Sequence, residues 1–182
     1  MDMDVANKVL HRCNREGRWM FTRRDLAHLF PEDSDKTLTK GLARLTDKSL
    51  LERVCRGVYV NPLGAEDDSR IAERIAVAMR RGEYNYLSLE SLLSECGAIS
   101  QIPIDRLTVM TTGRKGVYPT PYGVIEFTHT ARPVEDILAH TVKTDERPLR
   151  LATPATAWRD LKRVGRNLHM VDREWIEHER ES

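Results

Sequence analysis

Residues 34–45 read Ser-Asp-Lys-Thr-Leu-Thr-Lys-Gly-Leu-Ala-Arg-Leu, and their spacing predicts a helix with two unlike faces. Leu38, Leu42 and Leu45 recur at steps of four and three, so a helix gathers them on one side, toward a core. Lys36, Lys40 and Arg44 recur at steps of four and fall on the opposite side. Ser34 is suited to cap the N-terminus, and the small Thr37 and Thr39 follow in the first turns. A helix anchored by leucines and presenting cations can enter a major groove and meet phosphates and base edges. An ordinary surface helix with solvated lysines has the same periodicity. The neighbouring segments therefore decide.

Upstream, Val5, Val9 and Leu10, with Ala6 and Cys13 beside them, mark an amphipathic helix ending near Glu16-Gly17. Arg18-Trp19-Met20-Phe21 is short and β-prone. Thr22 then caps a second helix, with Asp25 in the reciprocal capping position and Leu26, Leu29 and Phe30 turned inward. Phe30-Pro31 breaks that helix, because proline disfavours helical backbone in the residue before it. Two short helices joined by a tight break, the second cationic, read as helix-turn-helix. Downstream, Leu50–Cys55 and Val58–Pro62 flank Arg56-Gly57, the pattern of a β-hairpin whose glycine supplies a positive φ. The order helix, strand, helix, helix, hairpin predicts an N-terminal winged helix-turn-helix. Arg53 and Arg56 on the hairpin, and Arg23 and Arg24 at the start of the second helix, would reach backbone phosphate. The expected DNA-contacting set is thus Arg23, Arg24, Ser34, Lys36, Thr37, Thr39, Lys40, Arg44, Arg53 and Arg56.

The chain has 182 residues, room for two small domains, and the polar stretch Gly64-Ala65-Glu66-Asp67-Asp68 reads as the linker between them. The predicted division is 1–64 and 65–182. Formal net charge is +1, yet residues 1–64 carry 12 Lys and Arg against 9 Asp and Glu, while the rest carries 17 against 19. So small an excess makes the placement of cations matter more than their number. Cys13, Cys55 and Cys96 are odd in number and form no C-x-x-C pair, with Cys13 and Cys55 at expected core positions. Reduced thiols in a cytoplasmic protein account for them. No apolar run is long enough to span a bilayer and no signal peptide is expected, so no membrane partner is expected either.

The second half predicts a mixed α/β domain, giving an α+β chain overall. A helix from Asp68 or Ser69 places Ile71, Ile75, Ala78 and Met79 on one face and stops at Gly82. Tyr84–Leu87 is β-like, and Ser88 is expected to cap a helix carrying Leu89, Leu92, Leu93 and Cys96. Strands are predicted over 106–111, 123–128 and 150–152. Thr153-Pro154 starts a helix with Ala157, Trp158 and Leu161 inside, and a last helix from about Asp172 presents Trp175 and Ile176.

Catalytic groups are not evident in this half. His129, His140, His169 and His178 lack metal-ligand spacing, so neither a metal nor another cofactor is expected. Ser88 and Ser91 lack a glycine-flanked elbow. Glu126 in a strand hints at a nuclease-like carboxylate, but Phe127-Thr128 follow it without the lysine that often accompanies metal-dependent cleavage. Gly113-Arg114-Lys115-Gly116 lacks the phosphate-loop pattern and reads as a turn with two cations. Arg114 and Lys115, and the set Arg159, Lys162, Arg163 and Arg166, are either solvated surface or secondary contacts to nucleic acid or a partner. Tyr84, Tyr86, Tyr118 and Tyr122 either complete a core or line a ligand pocket.

The run Arg53-Val-Cys-Arg-Gly57-Val-Tyr59-Val-Asn-Pro62 closes the first domain, and Tyr86-Leu-Ser88-Leu-Glu-Ser91 opens the second. Together with Gln101-Ile-Pro103 and Ala152-Thr-Pro154-Ala-Thr-Ala157-Trp-Arg-Asp160, they resemble the AbiEi-like antitoxins of type IV toxin–antitoxin (abortive-infection) systems. Ala155 and Thr156 depart from the charged residues frequent in that family. The resemblance implies a bacterial repressor that binds inverted repeats at its own promoter, as a dimer or as paired monomers. It also implies a C-terminal domain that counters a nucleotidyltransferase-like toxin without being an enzyme. A stand-alone or ligand-responsive regulator is the alternative, followed by a nucleic-acid-processing enzyme targeted by the winged helix.

Overall fold

The computed structural model describes residues 1–65, 68–100 and 105–181. Glu66 and Asp67 of the expected linker, and the Gln101–Pro103 motif, lie outside the described residues. The chain is α+β and divides into two compact units, Met1–Ile71 and Ala72–Ser182.

In the first unit, helix α1 (Met3–Arg15) starts at Asp2, whose carboxylate accepts from the backbone N–H groups of Asp4 and Val5. These donors have no intrahelical partner, so the cap satisfies groups that the helix itself leaves open. Strand β1 (Met20–Thr22) leads into α2 (Arg23–Leu29), where Thr22 and Asp25 form the reciprocal box expected from their spacing. Helix α3 (Asp35–Asp47) begins at Ser34, whose hydroxyl accepts from the Thr37 N–H at 3.2 Å. Strands β2 (Glu52–Cys55) and β3 (Val58–Val60) form the hairpin, and β1 pairs antiparallel with β3 to give the order β1-β3-β2. Gly57 sits at φ +81° in the turn, a conformation that an L side chain resists. A short helix α4 (Pro62–Ala65) follows.

Ala6, Leu10, Cys13, Phe21, Leu26, Phe30, Leu38, Leu42, Leu45, Leu51 and Tyr59 form one buried cluster in this unit. Each fully buried leucine or phenylalanine contributes about 1.5–3 kcal/mol relative to exposure. Two expectations need correction. Val5 is exposed, because α1 turns the stripe Ala6, Leu10 and Cys13 inward and leaves Val5 off it. Cys55 is half-buried, since its neighbour Val54 takes the inward position on the hairpin.

In the second unit, α5 (Ile71–Met79) crosses the junction and buries Glu73, Ile75 and Ala76, leaving Ala78 and Met79 half-buried. Then come β4 (Asn85–Leu87), α6 (Leu89–Glu95), β5 (Arg106–Thr111), β6 (Gly116–Thr120) and β7 (Gly123–His129). The rest is α7 (Val134–Ala139), β8 (Thr141–Val142), β9 (Arg150–Ala152), α8 (Pro154–Val164), a 3-10 turn at Leu168–Met170 and α9 (Arg173–Glu181). The strands form one mixed sheet in the order β6-β7-β5-β4-β9-β8, with β5–β7 and β4–β9 parallel. Helix α6 packs on β5 and α8. Strands β6 and β8, helix α7 and the 3-10 turn are additions to the elements read from sequence.

Candidate nucleic-acid interface

Helix α3 separates its two sets of side chains as the periodicity demands. Leu38, Leu42 and Leu45 are buried, whereas Lys36, Lys40, Ala43 and Arg44 are exposed. Lys36, Thr37, Lys40, Ala43 and Arg44 line one open concavity along the helix. The small Thr37 and Ala43 leave room between the cations, and the three leucines opposite fix the rotation of the helix. Arg44 also donates to the Met1 carbonyl at 2.9 Å. On the hairpin, Arg53 and Arg56 are exposed, while Val54 and Val58 point into the unit. The hairpin leaves directly from α3, since the N–H groups of Leu50 and Leu51 donate to the Leu45 carbonyl at 2.9 and 3.2 Å.

Some of the expected contact residues are engaged by partners within the unit. Arg24 is exposed, but the Arg23 guanidinium donates to Asp35 at 2.7 Å and to the Thr39 hydroxyl at 2.9 Å. Thr39 in turn donates to the Asp35 carbonyl. These three side chains tie α2 to the first turns of α3. Ser34 is engaged as the cap and with the Thr37 hydroxyl.

In the second unit the structure sorts the six secondary cations. Arg166 donates through Nε and Nη2 to both oxygens of Glu90, at 2.8 and 3.1 Å, and through Nη1 to Glu126. Arg106 takes the other Glu126 oxygen at 2.6 Å, and Asn167 adds a bond to Glu90 at 2.8 Å. Glu90 and Glu126 are 5% and 6% exposed, so Arg166 is an internal counter-ion rather than a surface cation. Burial opposes the charged form of Glu126, but hydrogen bonds and charge from Arg166 and Arg106 outweigh it and hold its pKa below the ordinary range. Arg159 lies 3.6 Å from Asp136, and Lys162 stands over the Trp158 ring. Arg114, Lys115 and Arg163 remain, and they line one open concavity with His129.

Ser88 is not the side-chain cap expected of it. Its hydroxyl donates to Asp160 at 2.9 Å, and the Tyr86 hydroxyl donates to the same oxygen at 3.1 Å. Arg132 completes the shell with a 2.9 Å bond to the other oxygen. Burial raises the Asp160 pKa against the pull of Ser88, Arg132 and Tyr86, while burial and the Asp160 charge raise that of Tyr86. Thr108 holds the turn into α6: it donates to the Ser88 carbonyl at 2.7 Å and accepts from the Ser91 N–H at 3.0 Å. That support matters because Leu89 adopts φ +56°, which a branched side chain resists. Tyr86 is thus core, whereas Tyr84 is exposed.

Among the described residues, no group of three or more His, Cys, Asp and Glu side chains is placed to hold a metal ion. Among the same residues, no helix is long and apolar enough to cross a membrane. No family model and no curated protein matches the chain.

Proposed function

We propose that the chain is a sequence-specific transcriptional repressor that binds double-stranded DNA through an N-terminal winged helix-turn-helix, with α3 as its recognition helix. The observation that carries this reading is the division of α3 between three buried leucines and an open face bearing Lys36, Lys40 and Arg44. Cations left facing solvent on a rotationally fixed helix are available for phosphates and guanine edges. Arg24, Arg53 and Arg56 are exposed and add backbone contacts in this reading, whereas Arg23 and Thr39 position α3.

The same proposal makes the protein a cytoplasmic antitoxin that represses its own operon at inverted repeats and opposes a nucleotidyltransferase-like toxin. This rests on the resemblance to the AbiEi-like antitoxins. Two segments that carry it, Tyr86–Ser91 and Ala152–Asp160, meet at Asp160, so their joint presence has a physical reason. In this reading the role is non-catalytic, and the engagement of both Glu126 oxygens by Arg106 and Arg166 supports it against the nuclease-like alternative.

Lys40→Ala combined with Arg44→Ala tests the reading in a gel-shift assay on a duplex selected by the protein from a random pool. Loss of preference for the selected duplex, with an unchanged melting profile, is the expected result. Wild-type affinity in the double variant overturns it. For the antitoxin role, co-expression with a toxin-like protein encoded beside this gene should restore growth, and continued growth arrest rejects that role.

A further inference from the structure

The concavity between the β5–β6 connection and α8 gathers cations that are far apart in sequence. Arg114 and Lys115 come from the connection, and Arg163 from the last turn of α8. All three are exposed. The backbone beneath them is fastened: Arg80 donates to the Arg114 carbonyl at 3.0 Å, and His129 Nδ1 lies 2.9 Å from the Gly113 carbonyl. Arg163 reaches the His129 carbonyl at 3.4 Å. Arg80 is itself held by the Tyr118 hydroxyl at 2.8 Å and stacked on the Phe127 ring. The connection is therefore pinned by other side chains while Arg114 and Lys115 project from it. Glu83 is the acidic residue in the lining, and its carboxylate accepts from the Thr112 hydroxyl at 2.6 Å.

We propose that this concavity is a second nucleic-acid contact, which takes the phosphate backbone of a DNA duplex without reading its bases. Three cations against one engaged carboxylate give it an attraction for polyanions. Its lining holds no Phe, Tyr or Trp on which unpaired bases could stack, and its one ring, His129, has Nδ1 2.9 Å from the Gly113 carbonyl. Single-strand binders rely on such platforms, so a duplex fits better. Arg159, Lys162 and Arg166 do not line the concavity, and Arg166 is held by Glu90 and Glu126. The contact deepens the DNA-binding reading of α3 but is sequence-independent, so the two can fail separately.

The test measures affinity against salt for the full chain on two probes, the selected duplex and a mixed-sequence duplex of equal length. For Arg114→Ala/Lys115→Ala/Arg163→Ala, losing three phosphate contacts lowers the slope of log K against log salt by about 2.7 on both probes. Preference for the selected duplex is retained. The variant Arg114→Ala/Lys115→Ala, which leaves the Arg163 bond intact, lowers the slope by about 1.8. Wild-type slopes for both variants overturn the proposal, even if Lys40→Ala/Arg44→Ala abolishes sequence preference. Absence of sequence preference in the wild-type protein sinks the recognition reading of α3, even if the concavity variants lower the slopes. An equal loss of affinity for single-stranded DNA of the same sequence overturns the duplex assignment.

Discussion

The two units place their charges in opposite ways. In the first, the described buried cluster holds no charged residue, and Lys36, Lys40, Arg53 and Arg56 stand on the surface. In the second, Glu73, Glu90, Glu126 and Asp160 are all buried, and each meets an arginine: Arg147, Arg166, Arg106 with Arg166, and Arg132. An apolar core leaves a domain's cations free for an external anion. A core with buried carboxylates must engage arginines internally, because an unpaired buried charge is costly. Equal numbers of arginines in two stretches of sequence can therefore mean a binding face in one and a skeleton in the other.

Substitutions in each skeleton sharpen this contrast. Leu45→Ala should be the most damaging, since Leu45 is fully buried on the anchoring face of α3; about 3–4 kcal/mol is expected by urea unfolding. Hydrogen exchange should place the loss in the first unit, and an evenly spread loss in both units would break the contrast. Next comes Arg166→Ala, which leaves buried Glu90 with Asn167 and no counter-charge, and buried Glu126 with Arg106 alone; it should cost about 3 kcal/mol, the lower end for a broken buried pair. The guanidinium is one-third exposed, so water relieves part of the penalty. Arg166→Lys should recover little, because a single ammonium cannot reproduce the bidentate bond to Glu90 together with the bond to Glu126. Full recovery by lysine would mean that charge alone suffices and that the fork geometry is incidental.

What the sequence disclosed was local. Ser34, the Thr22–Asp25 box, the leucine period of α3 and Thr153-Pro154 act within a few residues, and the helices form where these signals lie. Strand β6 was hidden because Pro119 reads as a turn, yet β6 is an edge strand, where a missing N–H is tolerated. Helix α7 has only six residues, too few to show a period. The charge network was illegible for another reason. Glu90 and Arg166 stand 76 positions apart, as do Glu73 and Leu149, so nothing near either residue announces its partner. Ser88 looked like a cap because the residue type suits one; the competing acceptor, Asp160, arrives from 72 residues away. The cationic face of α3 was visible, but Arg23's engagement with Asp35 and Thr39 needed the packing of α2 against α3.

Acid should separate the units with the smallest effect of the series. Glu126 has its folded pKa depressed, so its contribution is present above the ordinary carboxylate pKa and is lost as pH falls through the folded value. Asp160 works the other way: burial raises its folded pKa, so it favours folding most when protonated, and that contribution fades as pH rises through the raised value. Acidification therefore removes the Glu126 contribution while the Asp160 contribution partly offsets it, giving the second unit a shallow acid limb. Glu126→Gln keeps an acceptor for Arg106 or Arg166 but removes the titrating group. It should lower stability at neutral pH by about 1 kcal/mol and flatten the limb below the ordinary carboxylate range, as read by melting temperature against pH. If the slope is unchanged, Glu126 is not the titrating group, and the depressed pKa assigned to its arginine partners is wrong. If the limb instead steepens, the protonated carboxyl must itself be stabilising, which would make Glu126 resemble Asp160 rather than oppose it.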